Sequence, residues 1–154
     1  MKLDRIDRRL LALLQADATL PISTLAERVG LSQTPCWKRL KRLSDEGVIR
    51  SRVALLDPAA VGLPLVAFVS LTTSRHDQTW FETFAAAASA LPEVVEFYRM
   101  SGQVDYLLKV RVADIAAYDR FYKRLIACAP LADVSSAFCM EEIKATTALH
   151  LDGD

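Results

Sequence analysis

Gln33, Thr34, Lys38, Lys41 and Arg42 are the residues whose types and spacing suggest a definite chemistry. At 100° per residue Thr34, Pro35, Lys38, Lys41 and Arg42 project to one side of a helix predicted over Gln33 to Glu46, with Arg39 at the boundary and Cys36, Leu40 and Leu43 in a narrow apolar arc opposite. Amides, hydroxyls and a lysine near a helix N-terminus can meet base edges, while Lys and Arg further along meet phosphates. Gln33, Thr34 and Lys38 are the candidates for base contact. Lys41, Arg42, Arg50 and Arg52 are those for phosphate contact, with Ser32 at the start of the helix completing the candidate DNA surface. A charge run of this kind can also be the solvated face of a surface helix. It is read here as functional because a basic stretch follows it and the nearby acids, Asp45 and Glu46, lie at the far end. Trp37, at the edge of the apolar arc, reads as a packing residue.

Three elements must hold this helix in place. Ile6, Leu10, Leu13 and Leu14 lay an apolar stripe along a helix from Asp4 to Ala16, with Arg5, Arg8 and Arg9 nearer its other side. Thr24-x-x-Glu27 has the spacing of a capping box for a short second helix bearing Leu25, Ala26 and Val29, and Gly30 suits a left-handed helix end. Ser32 is placed to cap the third helix, and alternation from Val48 to Val53 reads as the strand of a small wing. A short helix, a turn at Gly30-Leu31 and a basic helix describe a winged helix-turn-helix.

Leu55 to Pro64 holds two prolines and a glycine and reads as a connector, which divides the chain into residues 1–60 and 61–154. Beyond it lie a β-rich run from Leu65 to Thr73 and a helix from Asp77 to Leu91 with Trp80, Phe81, Phe84, Ala88 and Leu91 inward. Strands at Val94 to Met100 and Asp105 to Val112 follow, then a helix capped by Asp114 carrying Ile115, Tyr118, Tyr122 and Leu125, and a last strand from Val134 to Ile143. The order βαββαβ is that of a ferredoxin-like, ACT-like sandwich, making the whole chain α+β.

Composition narrows the function. The 154 residues carry 19 basic and 19 acidic side chains, unevenly placed: residues 1–60 have a net charge of +4 and residues 61–154 a net of −4, a basic head on an acidic body. No apolar run approaches the roughly 18 residues of a membrane span, and Met1 to Arg5 lacks the order of a signal peptide, so a cytoplasmic protein without membrane contact is expected. Cys36, Cys128 and Cys139 match neither a disulfide framework nor a zinc motif and read as small reduced residues. Phosphate-loop, dinucleotide, metalloprotease and nucleophile-elbow motifs are all missing, His76 and His150 have no candidate co-ligands nearby, Asp114 reads as a cap, and Glu141-Glu142 as an acidic strand edge. The expectation is a non-enzyme without catalytic residues, metal or cofactor.

Leu31-Ser32, Arg39-Leu40, Leu43, Gly47-Val48-Ile49, the Leu56-Asp57-Pro58 connector and Gly102-x-x-Asp105-Tyr106 together resemble the Lrp/AsnC (leucine-responsive/asparagine regulator, feast/famine) family of bacterial transcription regulators, nearly end to end. Thr34 to Leu43 and Phe121 to Leu125 resemble a cysteine-responsive branch of that family. The resemblance implies a regulator that binds double-stranded DNA, dimerises through its sensor sheets, assembles further into tetramers or octamers, and takes a small amino acid in a cleft between sensors. It carries the effector site onto Met100, Ser101, Gly102, Gln103, Asp105 and Tyr106 in the loop between the second and third strands, and onto Ser135, Ser136 and Ala137 in the last strand. Asp105 is placed to take an α-amino group, with turn capping as its other reading; Gly102 would let backbone approach the ligand. Two other functions fit the same chain: an effector-independent architectural protein that wraps DNA, and a metabolic sensor or enzyme with a protein-binding head.

Overall fold

The structure, a computed structural model, describes residues 2–75 and 77–151, which form two compact units. Of these, residues 2–55 and 144–151 make up one, and residues 56–75 and 77–143 the other.

The first unit holds three helices: α1 (Arg5–Ala16), α2 (Ile22–Val29) and α3 (Gln33–Asp45). The capping box is on α1, not α2. The Asp4 carboxylate accepts the Asp7 N–H at 2.8 Å and the Asp7 carboxylate accepts the Asp4 N–H at 3.2 Å, satisfying two donors at the open helix end. Thr24, expected to cap α2, lies inside its first turn, because Pro21 occupies the cap position at φ −61° and starts the helix earlier. Gly30 ends α2 at φ +72°, and the N–H groups of Gly30 and Leu31 turn back to Glu27 and Ala26. Ser32 sits at the N-cap of α3, yet its side chain makes no capping hydrogen bond. Leu10, Leu25, Ala26, Val29, Cys36 and Leu40 form the core, with Ile6, Leu13, Leu14, Leu20, Ile22, Leu31 and Ile49 packed around it. The wing strand expected over Val48 to Val53 is not formed: a strand needs a partner ladder, and the described residues of this unit supply none. The C-terminal tail returns to this unit, where the Gln15 amide donates to the Leu149 carbonyl at 3.0 Å and accepts its N–H at 2.6 Å.

The second unit runs β1 (Leu65–Thr72), α4 (Gln78–Ser89), β2 (Val94–Arg99), β3 (Tyr106–Val112), α5 (Ile115–Cys128) and β4 (Asp133–Phe138), the expected βαββαβ. Its antiparallel sheet has the order β2-β3-β1-β4, with Val69 opposite Leu108 on one side and Ser136 on the other. Alternation sends Ala67, Val69 and Leu71 of β1 and Tyr106, Leu108, Val110 and Val112 of β3 into one core with Trp80, Phe84 and Ala88 of α4 and Tyr118, Phe121 and Leu125 of α5. Asp77 and Asp114 cap α4 and α5 through the N–H groups of Trp80 and Ala117. Ile115, expected inward, is 58% exposed, since the core arc of α5 begins at Tyr118. β4 stops at Phe138, five residues short of expectation. Glu142 lies beyond it and pairs with Arg111 at 2.9 Å, so Glu141-Glu142 is no strand edge.

Candidate functional site

Cys36, Leu40 and Leu43 are buried beneath α3, and its other side is open: Ser32, Gln33, Thr34, Pro35, Lys38, Lys41 and Arg42 are all exposed, as are Arg50 and Arg52 in the irregular chain that follows. Lys41 Nζ lies 2.5 Å from the Asp45 carboxylate one turn on, an exposed pair of small energetic weight that a phosphate can replace.

Arg39 stands apart from this surface. Its Nη1 donates to Asp4 at 2.5 Å and Asp7 at 2.9 Å, and its side chain is 27% exposed. These contacts, Asp4 first, raise its pKa above the ordinary guanidinium value, and Asp4 is lowered by the Asp7 N–H and then by Arg39. Arg39, expected among the DNA contacts, joins α1 to α3 through these two carboxylates. Arg42 Nη2 reaches the other Asp7 oxygen at 2.6 Å and keeps more exposure. Sequence reasoning missed this network, although Asp4-x-x-Asp7 opening a helix was its visible signal.

Trp37 is 54% exposed rather than packed, and lines an open groove with Leu20, Leu25, Leu40, Lys41 and Arg52. Its position between Cys36 and Lys38 puts it at the border of the buried arc, where the indole gains one apolar wall only.

The predicted effector residues are not gathered into one place within the chain. Met100, Ser101, Gly102 and Gln103 form an exposed loop, with Gly102 at φ +112°. Asp105 ties that loop to the end of β1, its N–H donating to the Leu71 carbonyl and its carboxylate accepting the Thr73 N–H at 2.8 Å. Tyr106 is 3% exposed and its ring packs among Trp80, Phe81, Phe84 and Phe97, with centroids 5.6 to 6.2 Å away. The β4 residues divide between faces: the Ser136 hydroxyl bonds to the Tyr118 hydroxyl on the helix side, whereas Ser135 and Ala137 are exposed. Tyr118 and Thr73 are partners that spacing alone did not suggest.

Burial raises the thiol pKa of Cys36 and of Cys128, and Cys128 Sγ donates to the Arg124 carbonyl. No group of three or more His, Cys, Asp or Glu among the described residues could hold a metal, and no helix among them is long and apolar enough to cross a membrane. His76 lies outside the described residues; His150 is exposed.

The sequence matches a winged helix-turn-helix DNA-binding family over residues 3–50 and the Lrp/AsnC ligand binding domain over residues 66–149, the latter spanning more than half of the chain. The chain belongs to the Lrp/AsnC family. It is 54% identical to the DNA-binding transcriptional activator DecR of Escherichia coli K12, over 97% of this chain and 99% of that one. A crystal structure of an AsnC family transcriptional regulator from Agrobacterium tumefaciens superposes with a TM-score of 0.93 at 57% identity, covering 96% and 97% of the two chains. A transcriptional regulator from Neisseria meningitidis, solved with L-methionine, superposes at 0.92 with 38% identity over 98% of each. This Lrp/AsnC protein is therefore a DNA-binding transcription regulator and not an enzyme.

Proposed function

We propose that this regulator reads DNA through α3 and that a small amino acid bound at its sensor domain tunes the affinity. The observation that carries the first part is the division of α3 into a buried arc of Cys36, Leu40 and Leu43 and an exposed polar side led by Gln33, Thr34 and Lys38. These three meet base edges in the major groove; Lys41, Arg42, Arg50 and Arg52 meet phosphates, and Ser32 and Pro35 border the contact.

The sheet face turned away from the helices, with Phe68 39% and Tyr98 48% exposed, supports pairing of two sensors there. The dimer presents two recognition helices to successive half-sites and assembles further to tetramers or octamers. The effector lies between sensors, against the loop Met100 to Gln103 and the exposed side of β4 at Ser135 and Ala137. Asp105 holds the loop and offers its carboxylate to the amino group, while Tyr106 and Ser136 brace the site from the core side. An effector acts here only by binding one state of the dimer better than the other. Cysteine is the first candidate, on the resemblance of residues 34–43 and 121–125; methionine is the second, from the ligand of the Neisseria regulator. Confinement to the cytoplasm follows from the same reading.

The test is anisotropy titration of the purified protein on its own promoter and a scrambled duplex, at two salt concentrations, with each of the twenty amino acids. Sequence-specific binding shifted by one amino acid is the expected result. Specific binding shifted by none would overturn the effector reading in favour of an architectural protein, and no DNA binding would point to a protein-binding head. Lys41→Ala should weaken binding to all sequences and lower the salt slope by about one, whereas Gln33→Ala should change the preference between sites.

A further inference from the structure

Asp7 is the one charged side chain among the described residues of the core, 1% exposed at the start of α1. A carboxylate there is costly unless it is paired and hydrogen-bonded, and three donors meet it: the Asp4 N–H at 3.2 Å, Arg39 Nη1 at 2.9 Å and Arg42 Nη2 at 2.6 Å. Both guanidiniums come from the helix read above as the DNA reader, three residues apart and so on one side of it.

The two arginines are held differently. Arg39 spends Nη1 on both Asp4 and Asp7 and is 27% exposed, while Arg42 gives one Nη2 contact to Asp7 and is 42% exposed. A guanidinium has five donors in a rigid fork, so Arg42 can keep Asp7 and still meet a phosphate, which a single ammonium on a flexible stem does less well.

We propose that Asp7 is a positioning residue for DNA binding: its buried carboxylate sets the guanidinium of Arg42 in the orientation in which it meets a backbone phosphate, while Arg39 fastens the same carboxylate to Asp4. This rests on the reading that α3 faces DNA. An arginine already held loses less side-chain freedom on binding, so affinity rises without any new contact.

The experiment is a double-mutant cycle with the full-length protein on one promoter duplex, titrated from 50 to 300 mM salt. Asp7→Asn, isosteric and uncharged, should weaken binding by about tenfold with the salt slope retained, because the cations remain. Arg42→Ala should lower the slope by about one, and the double variant should bind no more weakly than Arg42→Ala alone. Asp4→Asn, which removes the half-exposed partner of Arg39 and keeps a capping side chain, should stay within about twofold of the parent. Additive losses in the double variant, unchanged or tighter binding by Asp7→Asn, or an equal loss from Asp4→Asn would each overturn the proposal. If Asp7→Asn loses its helical circular dichroism, Arg42→Lys takes its place. It should bind several-fold more weakly at an unchanged slope, and parental affinity would overturn the idea. A parent protein that binds no DNA at all overturns the reading beneath it, a result distinct from the others.

Discussion

At the scale of single residues, the carboxylates are the informative groups. Asp77 accepts the Trp80 N–H at 2.9 Å and its pKa is lowered from 3.8, first by that backbone donor and then by Arg75 beside it. A pKa lower in the folded than the unfolded chain contributes stability that is present above the ordinary carboxylate value and lost as pH falls through the lowered one. Melting temperature should therefore drop as pH is taken below about 3.8, and Asp77→Asn should make that drop shallower; an unchanged pH profile would remove Asp77 from the account. Asp4 titrates in the same direction for a related reason, the Asp7 N–H and the Arg39 guanidinium. The carboxylates of Asp4, Asp7 and Asp105 were visible in the sequence, but their partners were not, because Arg39 and Thr73 lie 32 or more residues away along the chain. Periodicity sorts residues onto faces and says nothing of which face meets which.

Among the elements, the helix-turn-helix depends on one backbone conformation. Gly30 turns the chain from α2 into α3 at φ +72°, and a Cβ added there would meet no atom within 4 Å. Gly30→Ala should thus cost about 1 kcal/mol through backbone strain alone, read from urea unfolding followed by helical circular dichroism. The apolar faces of the five helices among the described residues were legible in the sequence apart from Trp37 and Ile115, since each carries a repeat near 3.6, and so was the order of the four strands along the chain. Where expectation failed, a local pattern had no partner. Thr24-x-x-Glu27 matched a capping box, but Pro21 had already begun the helix; Val48 to Val53 alternated, but no second strand among the described residues paired with it; and β4 ended at Phe138, opposite Ala67, with only the Cys139 N–H reaching on to the Val66 carbonyl. Strands are made by their neighbours more than by their own residues.

For the whole molecule, each unit has a core of its own, Leu10, Leu25 and Leu40 in one and Val69, Phe84 and Leu108 in the other. Phe84 is fully buried, stacked on Trp80 at 5.1 Å and edge-on to Phe97 at 5.8 Å. Phe84→Ala should destabilise the sensor by about 3 to 5 kcal/mol, appearing in calorimetry as one shifted transition while that of the head stays put. A common shift of all unfolding would mean that the two cores melt as one. The polar side of α3 was legible from sequence because a helix displays its own surface; the sides taken by the residues expected at the effector site were not, because Tyr106 and Ser136 belong to the inner side of the sheet while Ser135 and Ala137 belong to the outer.

The chain has two tryptophans, and they fall one to each unit: Trp37 half-exposed on α3, and Trp80 6% exposed beside Tyr106 in the sensor core. Their emission should separate by colour, a solvated indole glowing to the red of a buried one. With Trp80→Phe the head keeps the one indole of the chain, and with Trp37→Phe the sensor does, so indole emission reports on one unit at a time. Each unit of the molecule thus carries an optical reporter of its own.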